Sequence, residues 1–466
     1  MNEPLSQFYD RVALKRDDYR RSHRYYYGLL SRQYRYFIPE GRRVLEVGCG
    51  TGDLLDALKP SVGVGVDLSL KMVEAARAKY PKLRFESGSV EALKDTGTFD
   101  YIILAGVLGE AQDVQGLFQS LKQFCTPDTR IVIEYYSYFW QNVLRGVEKL
   151  GLKMPQPEQN WLTAVDIENF LKLAGYEPIK RERMMLCPVN LWILSGFINR
   201  YVAKLPFLNA LTLNHFMVAR PLFEAQAEYS VSILVPCRNE KGNIEAAITR
   251  TPVFGKSQEF LFVEGHSKDG TYEEVERVMK KYPHKNIRLF KQPGKGKGDA
   301  VRFGFSQATG DILMILDADL TVMPEDMPKF YEAIRLDKGE FINGCRLVYP
   351  LEKEAMRFLN LVANKLFGVF FSWLLGQRFK DTLCGTKVMF RRHYLELAAN
   401  RHYFGDFDPF GDYDLIFGAV KLNLKVIELP IRYKSRSYGE TQIQRFRHGL
   451  LLARMCLFAM KKVKFI

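Results

Sequence analysis

The chain has 466 residues and a mass of 53.9 kDa, more than one hydrophobic core usually organises, so we expect two globular domains. Its formal net charge of +14 predicts attraction to something anionic, such as nucleic acid, phosphorylated small molecules or membrane head groups. The seven cysteines form no CxxC pair and the seven histidines show no zinc spacing beside them, which disfavours a zinc protein and indicates a reduced, cytoplasmic setting.

Residues 42–58 show an apolar run, a glycine-rich loop and then a helical pattern, which together are typical of the start of an α/β unit. The loop contains Gly48, Gly50 and Gly52, and glycine lets the main chain curl tightly and approach a ligand closely. A dinucleotide-binding fingerprint would have its third glycine at the position of Asp53, so this loop does not favour a dehydrogenase.

Asp67 ends a second predicted strand, about where an acidic residue should meet ribose hydroxyls. Most of residues 1–220 resemble the class I S-adenosylmethionine-dependent methyltransferases, with 99–110 similar to the family's fourth strand and 163–178 to a late helix. The positions that match the family's motif for the methionine end of the cofactor are Glu46, Gly48, Gly50 and Gly52. The resemblance implies S-adenosyl-L-methionine as a cofactor and Asp67 as the acid that binds its ribose.

The sequence departs from that family at Ser89, where an acid often contacts the adenine amino group. We therefore expect adenine recognition to depend on main-chain groups or on Glu91. The sequence indicates neither a methyl acceptor nor a catalytic base. A domain that keeps this fold but no longer binds the cofactor is the alternative.

Residues 219–230 interrupt the periodicity with a proline followed by polar and small residues, and we place the domain boundary there. A second strand, loop and helix pattern begins at 231–248. We predict an α/β protein with two Rossmann-like domains. The first would be a methyltransferase domain over 1–220, and the second a different domain over 229–466.

Asp317 and Asp319 follow an apolar strand in the second half and are separated by one alanine. Neighbouring carboxylates with little water around them repel each other and lose hydration. A divalent ion relieves both costs, since hard cations prefer oxygen ligands and commonly bridge to phosphates. We therefore expect Mg²⁺ or Mn²⁺ at these two residues, neutralising the charge of a leaving diphosphate.

The segments 231–240, 260–271 and 293–311, together with the paired aspartates, resemble family 2 glycosyltransferases of the GT-A fold, especially the dolichol- or polyprenyl-phosphate sugar transferases. The resemblance covers residues 229 to about 450 and implies a nucleotide-sugar donor. Within it, Glu264 would face the nucleobase, Asp269 would support the loop, and Arg346 would contact a donor phosphate. The donor-binding set that the resemblance implies is Pro236, Glu240, Glu264, Asp269, Lys295, Asp317, Ala318, Asp319 and Arg346.

On the acceptor side, residues 381–392 resemble the family's cysteine-glycine segment, and 410–419 resemble its acidic helix start. If the sugar goes to a hydroxyl, Asp412 or Asp414 should act as general base, with Asp412 preferred. Capping the helix is the alternative role for either residue. An ionised phosphate acceptor is already a nucleophile and needs no base.

Arg436 is kept from the basic pair of the lipid-phosphate enzymes, but Gln442 stands where that family usually has lysine. This departure weakens the case for a polyprenyl-phosphate acceptor. It does not exclude one, because Arg445 and Arg447 lie nearby in the sequence. A glycan or another lipid therefore stays open as the acceptor.

Contact with a membrane surface is a further possibility. The longest apolar segments, 184–198 and 366–376, are shorter than the ~20 residues of a spanning helix, and the N-terminus lacks the apolar core of a secretory signal. We expect no transmembrane helix and no export. Residues 355–381 and the basic tail from Lys434 fit either peripheral membrane contact or packing on the core.

The leading hypothesis is a bifunctional enzyme, a methyltransferase joined to a metal-dependent glycosyltransferase that acts with inversion, as the family resemblance implies. One alternative is an active glycosyltransferase whose first domain only binds S-adenosylmethionine. Another is a basic protein that binds a membrane surface or nucleic acid. We expect no nucleic-acid partner, because the sequence has no interleaved aromatic and basic residues of the kind that nucleic-acid modules show.

Overall fold

The computed structural model describes residues 4–224, 227–349, 358–403, 411–434, 436, 438 and 454–465, apart from the side chains of 358–363, 402 and 412. Contacts between Cα atoms divide the chain into two units. The first unit comprises the residues up to Phe223 together with the last residues of the chain from Phe465, and the second unit is Glu224–Lys464. Each unit contains one seven-stranded sheet with helices around it.

The first sheet has the strand order β3-β2-β1-β4-β5-β7-β6. Its strands are β1 Arg43–Val47, β2 Val62–Asp67, β3 Arg84–Ser87, β4 Tyr101–Ala105, β5 Arg130–Tyr136, β6 Tyr176–Met184 and β7 Asn214–Pro221. Only β7 runs antiparallel to its neighbours, and the central parallel strands are almost entirely buried, as expected for strands covered on both faces. The order reverses between β1 and β4, which is where open α/β sheets bind ligands.

The helices of the first unit are α1 Leu5–Ser22, α2 Arg24–Phe37, α3 Asp53–Ala57, α4 Leu70–Lys79, α5 Val114–Leu121, α6 Gln141–Lys149, α7 Ala164–Leu173 and α8 Ile193–Arg200. Local sequence explains several of their first residues. Thr163 and Asp166 form a reciprocal capping box at α7, and the Ser69 hydroxyl accepts from the Met72 N–H at α4.

The second sheet has the order β10-β9-β8-β11-β13-β12-β14, with β13 antiparallel to both neighbours. Its strands are β8 Ser230–Cys237, β9 Ser257–Glu264, β10 Asn286–Lys291, β11 Ile312–Ile315, β12 Phe341–Cys345, β13 Lys387–Phe390 and β14 Val426–Pro430. The carboxyl ends of β8, β9 and β11 therefore meet at one edge, since these strands are parallel neighbours.

The helices of the second unit are α9 Ile244–Thr249, α10 Thr271–Lys281, α11 Lys297–Gln307, α12 Met327–Arg335, α13 Phe358–Leu375, α14 Arg391–Ala399 and α15 Asp412–Lys421. In α13 the side chains of Phe371 and Leu374 are buried, whereas Leu366 and Val369 are exposed. Among the described residues, no helix is both long enough and apolar enough to cross a bilayer.

The prediction of two Rossmann-like α/β domains is confirmed by these two sheets. Each unit has its own buried apolar core, one built around Leu45, Ile102 and Ile133, the other around Ile233, Phe262 and Met314. In the described part of the basic tail, Lys464 lies 5.7 Å from the ring centroid of Trp373 in α13.

Candidate functional sites

The glycine-rich loop of the first unit joins β1 to α3 and curls back against β2. Gly48, Gly50 and Gly52 have φ angles of 71°, 52° and 79°, a region that residues with a Cβ rarely adopt. The N–H of Gly48 donates to the Val66 carbonyl at 2.8 Å. A Cβ on Gly48 would lie 2.7 Å from the Val107 side chain, so this loop depends on glycine both for its dihedral angles and for space.

Asp67, the last residue of β2, fixes this loop. Its Oδ2 accepts from the Gly50 N–H at 2.8 Å, and its Oδ1 accepts from the Ser69 N–H at 2.9 Å. Burial raises the pKa of Asp67, although these two N–H groups and Arg16 oppose that shift. Each carboxylate oxygen has a second lone pair, so Asp67 can still accept from a ligand hydroxyl.

Glu46 lies on β1 beside the loop and is almost fully buried, and its Oε2 has no hydrogen-bond partner in the described structure. Burial, with the charges of Asp53 and Asp67 adding to it, raises the pKa of Glu46 to about 8, whereas Arg20 opposes the shift. Its carboxyl group is thus largely protonated at neutral pH and can hydrogen-bond a ligand. Glu46 is the acid that the family resemblance assigns to the methionine end of S-adenosyl-L-methionine.

A cavity of about 500 Å³ opens beside the loop, with Gly48 and Gly106 on the sheet side. Its other walls are mainly apolar and aromatic, and the aromatic side chains are Tyr19, Tyr26, Tyr27, Tyr34, Tyr136 and Trp140. The Tyr34 hydroxyl is buried without a partner in the described structure. The cavity could hold both a cofactor end and a small acceptor group.

Glu134 also lines this cavity, and it was not among the site residues that the sequence motifs predicted. Its Oε1 accepts from the Asn214 side chain, and burial raises the pKa of Glu134 to about 7. A signal was present in the sequence, because Glu134 is an acid inside the apolar strand pattern of β5. Asn214, 80 residues further along the chain, carried no such signal.

Asp317 and Asp319 follow β11 at the carboxyl edge of the second sheet. Asp317 Oδ1 lies 2.6 Å from the Lys297 ammonium, and Asp319 Oδ2 accepts from the Arg436 guanidinium at 2.7 Å. Burial favours protonation of Asp317, but Lys297, Lys387 and Arg346 outweigh it and lower the pKa of this carboxyl. Each of the two carboxylates thus lies against a cation from elsewhere in the chain.

Arg436 links the paired aspartates to the first strand of the sheet, since its other terminal nitrogen donates to Glu240 Oε1 at 3.1 Å. Glu240 is buried, and its Oε2 accepts from the Asn243 side chain at 2.8 Å. Burial raises the pKa of Glu240 to about 7, with Arg436 and Asn243 opposing. The structure thus brings together three residues that are far apart in the sequence: Glu240, Asp319 and Arg436.

The other predicted donor residues lie along the same strand ends. Pro236 is partly exposed in β8 and pairs in register with Val263, and Glu264 ends β9. Asp269 accepts from the Thr271 N–H at 3.0 Å and the Lys241 N–H at 3.2 Å, so it braces the loop before α10.

Two further residues of the predicted donor set, Ala318 and Lys295, differ in their exposure to solvent. Ala318 is buried between the two aspartates. Lys295 is exposed, and it is Lys297, two residues further along, that pairs with Asp317.

Arg346 is held by Asp381 in a fork of two hydrogen bonds, of 2.7 and 2.8 Å. The Asp381 side chain is fully buried and also accepts from the Asn364 amide at 3.0 Å. Burial opposes ionisation of both groups, but Arg346 lowers the pKa of Asp381 and Asp381 raises the pKa of Arg346, so both partners are ionised. Its charge reaches Asp317, but its hydrogen bonds are made to Asp381.

Of the two acids predicted at the start of α15, Asp414 is the one whose side chain the structure describes. Asp414 is buried and accepts from the Arg401 guanidinium at 3.0 Å. The main chain places Asp412 as the first residue of α15, and its side chain lies outside the described residues. Gln442, Arg445 and Arg447 also lie outside them.

Asp317 and Asp319 offer the donor type that a metal in this fold would need. Carboxylate oxygens are the ligands that Mg²⁺ and Mn²⁺ prefer, and both side chains are partly exposed. The residues present therefore fit a hard divalent cation.

The two sheets define the class of protein: two α/β units, each with polar side chains gathered where its parallel strands end. Residues 19–181 match the family described as methyltransferase domain, and residues 232–397 match glycosyl transferase family 2. The first unit thus contains a methyltransferase domain and the second a family 2 glycosyltransferase domain, as the resemblances in the sequence implied.

Two curated relatives match about half of this chain. The dolichol-phosphate mannosyltransferase of Pyrococcus furiosus is 29% identical over 221 residues, covering 46% of this chain and 59% of the relative. The undecaprenyl-phosphate 4-deoxy-4-formamido-L-arabinose transferase of an Enterobacter species is 25% identical over 227 residues, covering 47% and 64%. The chain spans about three-fifths of the length of these relatives.

Solved structures also resemble part of the chain. A possible histamine N-methyltransferase of Thermotoga maritima is 16% identical, with a TM-score of 0.37, covering 46% of this chain and 99% of that one. An S-adenosylmethionine-dependent methyltransferase of Mesorhizobium loti is 20% identical, with a TM-score of 0.31, covering 40% and 94%. At these scores the likeness has no bearing on function.

Proposed function

We propose that the chain is a bifunctional transferase. Its second unit moves a sugar from a nucleotide-sugar donor to a lipid-linked phosphate or a glycan, with inversion at the anomeric carbon. Its first unit transfers a methyl group from S-adenosyl-L-methionine. The two relatives act on dolichol phosphate and undecaprenyl phosphate by name, which supports a polyprenyl-phosphate acceptor.

The observation that carries the sugar-transfer proposal is the charge arrangement at the end of β11. The two aspartates are paired with cations from different parts of the chain, Asp317 with Lys297 and Asp319 with Arg436. A diphosphate carries negative charge, so Lys297 and Arg436 suit its oxygens while the aspartates suit a cation bound to it. Charges of both signs at one strand edge fit a metal-bound diphosphate better than either ligand alone.

Asp317 and Asp319 would hold the Mg²⁺ or Mn²⁺, which when bound supplies positive charge to the departing diphosphate. Lys297 and Arg436 are placed to contact phosphate oxygens. Glu240 keeps Arg436 at the site through its 3.1 Å hydrogen bond. In this arrangement the protein contributes mainly position and fixed charge.

The acceptor determines whether a base is needed. With a phosphate acceptor, the ionised oxygen attacks the anomeric carbon directly and no base is needed. With a hydroxyl acceptor, Asp412 or Asp414 would have to take the proton, and Asp414 already accepts from Arg401.

A thermal-shift experiment tests the donor site. Nucleoside diphosphates with Mn²⁺ should raise the melting temperature of the wild type, because a ligand that binds the native state stabilises it. Asp319→Asn should lose this rise. Asp326→Asn, which changes an acid paired with Lys329 elsewhere in the second unit, should keep it. If Mn²⁺ makes no difference in the wild type and no nucleotide sugar is hydrolysed or transferred, the proposal is wrong.

The methyltransferase activity has its own test. Calorimetry with S-adenosyl-L-methionine should show binding to the wild type and weaker binding to Asp67→Asn, since the loop loses one charged acceptor. Methyl release in the presence of candidate glycans or lipids then separates turnover from binding alone. Binding without turnover would support the alternative of a non-catalytic cofactor-binding domain.

A further inference from the structure

Helix α8 of the first unit is oriented with its polar residues inward and its apolar residues outward. Ser195 and Asn199 are buried, whereas Ile193, Leu194 and Phe197 are exposed. A surface helix of a water-soluble protein normally shows the opposite arrangement, because burial of the apolar stripe is what stabilises it. The surroundings that suit this outer face are therefore apolar.

The inward polar side chains explain why the helix is held this way. The Asn199 side-chain oxygen accepts from the N–H groups of Leu186 and Cys187, both at 2.9 Å, and its amide donates to the Tyr25 hydroxyl at 3.1 Å. The Ser195 hydroxyl accepts from the Leu191 N–H at 3.1 Å. Turning the helix over would bury its apolar face but would break these hydrogen bonds, so the exposed face is fixed by the fold.

Two large exposed aromatic side chains flank this helix in the sequence, Trp192 directly before it and Phe207 seven residues after it. Trp192 is 84% exposed and Phe207 is 91% exposed. Their φ angles, 55° and 68°, belong to a region that bulky residues rarely adopt. We name the α8 patch by its main exposed members, which are Leu191, Trp192, Ile193, Leu194, Phe197 and Phe207. An exposed patch of this composition marks an interaction surface.

The charge around the α8 patch indicates the partner. Residues 184–223 contain no aspartate or glutamate. Of the three cations in this segment, Arg200 is exposed in the last turn of α8, whereas Lys204 and Arg220 are buried and Arg220 is paired with Glu177. Apolar and aromatic side chains beside an exposed arginine, in a segment without acidic residues, match an anionic lipid surface, where aromatic rings sit at the head-group level and cations meet the lipid phosphates.

We propose that the α8 patch docks on an anionic membrane surface, with Trp192 and Phe207 as the anchors. The inference depends on the patch and not on either transferase activity. It agrees with the proposed lipid-linked acceptor, because such a molecule is held in a bilayer.

Vesicle flotation of the full chain tests this. The wild type should float with phosphatidylcholine vesicles that contain about 30% phosphatidylglycerol, and less with phosphatidylcholine alone. The double variant Trp192→Ser, Phe207→Ser should bind at least about tenfold more weakly, since two aromatic anchors are lost. Leu14→Ser removes a similarly exposed apolar side chain from α1 and should bind as the wild type does.

The double variant should melt at the wild-type temperature, because the two side chains are exposed, and its Mn²⁺-dependent thermal shift with nucleotides should be unchanged. Equal vesicle binding by the wild type and the double variant would overturn the proposal, as would no binding to anionic vesicles. If the wild type is a dimer in solution and the double variant a monomer, the patch is an interface between two copies and the membrane assignment is wrong.

Discussion

Glu46 shows how burial sets the chemistry of a single residue in this protein. The isolated side chain has an ordinary pKa of 4.5, and the pKa is raised to about 8 in the fold because water is excluded. Glu134, in the same cavity, has its pKa raised to about 7 for the same reason. Both acids carry a proton over part of the physiological range, so their effect on stability depends on pH.

The sign of that dependence follows from proton binding. Between about pH 4.5 and 8 the unfolded chain loses the Glu46 proton while the folded chain keeps it, so the free energy of unfolding falls as pH rises. Glu46→Gln removes this loss, on the order of 1.4 kcal/mol for each unit by which the two pKa values differ. We therefore expect the melting temperature of the variant, measured relative to that of the wild type, to be higher at pH 8 than at pH 5. An equal difference at both pH values would contradict the raised pKa.

The pair of Arg346 and Asp381 is a second case, in which charge is buried and matched. Replacing Asp381 by Asn would leave the Arg346 guanidinium buried without its counter-charge, which should cost about 3–5 kcal/mol of stability. Urea unfolding measures the loss. Glu40→Gln is the control, because the Glu40 and Lys59 pair is exposed and should contribute little. A small effect of Asp381→Asn would show that Arg346 is free to serve the donor, as the family resemblance implied.

At the scale of elements, the segment before β13 approaches the first of the paired aspartates, Asp317, at Gly385. A Cβ on Gly385 would overlap the Asp317 carboxylate and the Lys297 ammonium. Gly385→Ala should therefore displace this ion pair and reduce the Mn²⁺-dependent thermal shift with nucleotides. The overlapping atoms are ends of side chains, so the fold should persist.

Gly28→Ala provides the matched comparison for that substitution. Gly28 lies in α2 and has nothing within 4 Å of a built Cβ. This variant should keep the nucleotide response and melt at the same or a slightly higher temperature, because alanine favours helix more than glycine does. If Gly385→Ala binds nucleotide and Mn²⁺ as the wild type does, the pair of Asp317 and Lys297 does not form part of the donor site.

At the scale of the whole molecule, each unit has a separate sheet and a separate apolar core. The two proposed ligand sites should therefore be lost independently. Asp67→Asn should weaken S-adenosyl-L-methionine binding and leave the nucleotide response intact, and Asp319→Asn should do the reverse. Calorimetry and thermal shift on the same two variants measure both. Loss of both responses in either variant would contradict independent sites.

Local patterns predicted the parts of each site that are continuous in sequence. These parts are the glycines at 48, 50 and 52 and the aspartates at 317 and 319, which lie beside apolar strands. At such positions the residue type alone indicates a tight loop or a cation site. The partners that complete the sites could not be found this way. Asn214 reaches Glu134 across 80 residues, and Arg436 reaches Asp319 across 117, so no short pattern links them.

Helix α8 shows a second property that sequence patterns do not predict, namely which face of a helix is exposed. Its apolar residues would ordinarily be assigned to the core, but the hydrogen bonds that the Leu186 and Cys187 N–H groups donate to the Asn199 side chain hold its polar face inward. The outward face is therefore decided by contacts that the helix makes with the preceding loop.

The sequence by itself determined that this protein has two α/β domains and placed a glycine loop and an acidic pair at strand ends, because hydrophobic periodicity and glycine conformation are local properties. The tertiary structure decided which cations meet the acids, which carboxyl groups hold their protons and which apolar side chains stay exposed. These properties depend on burial and on distances between residues far apart in the chain, and only the folded arrangement sets them.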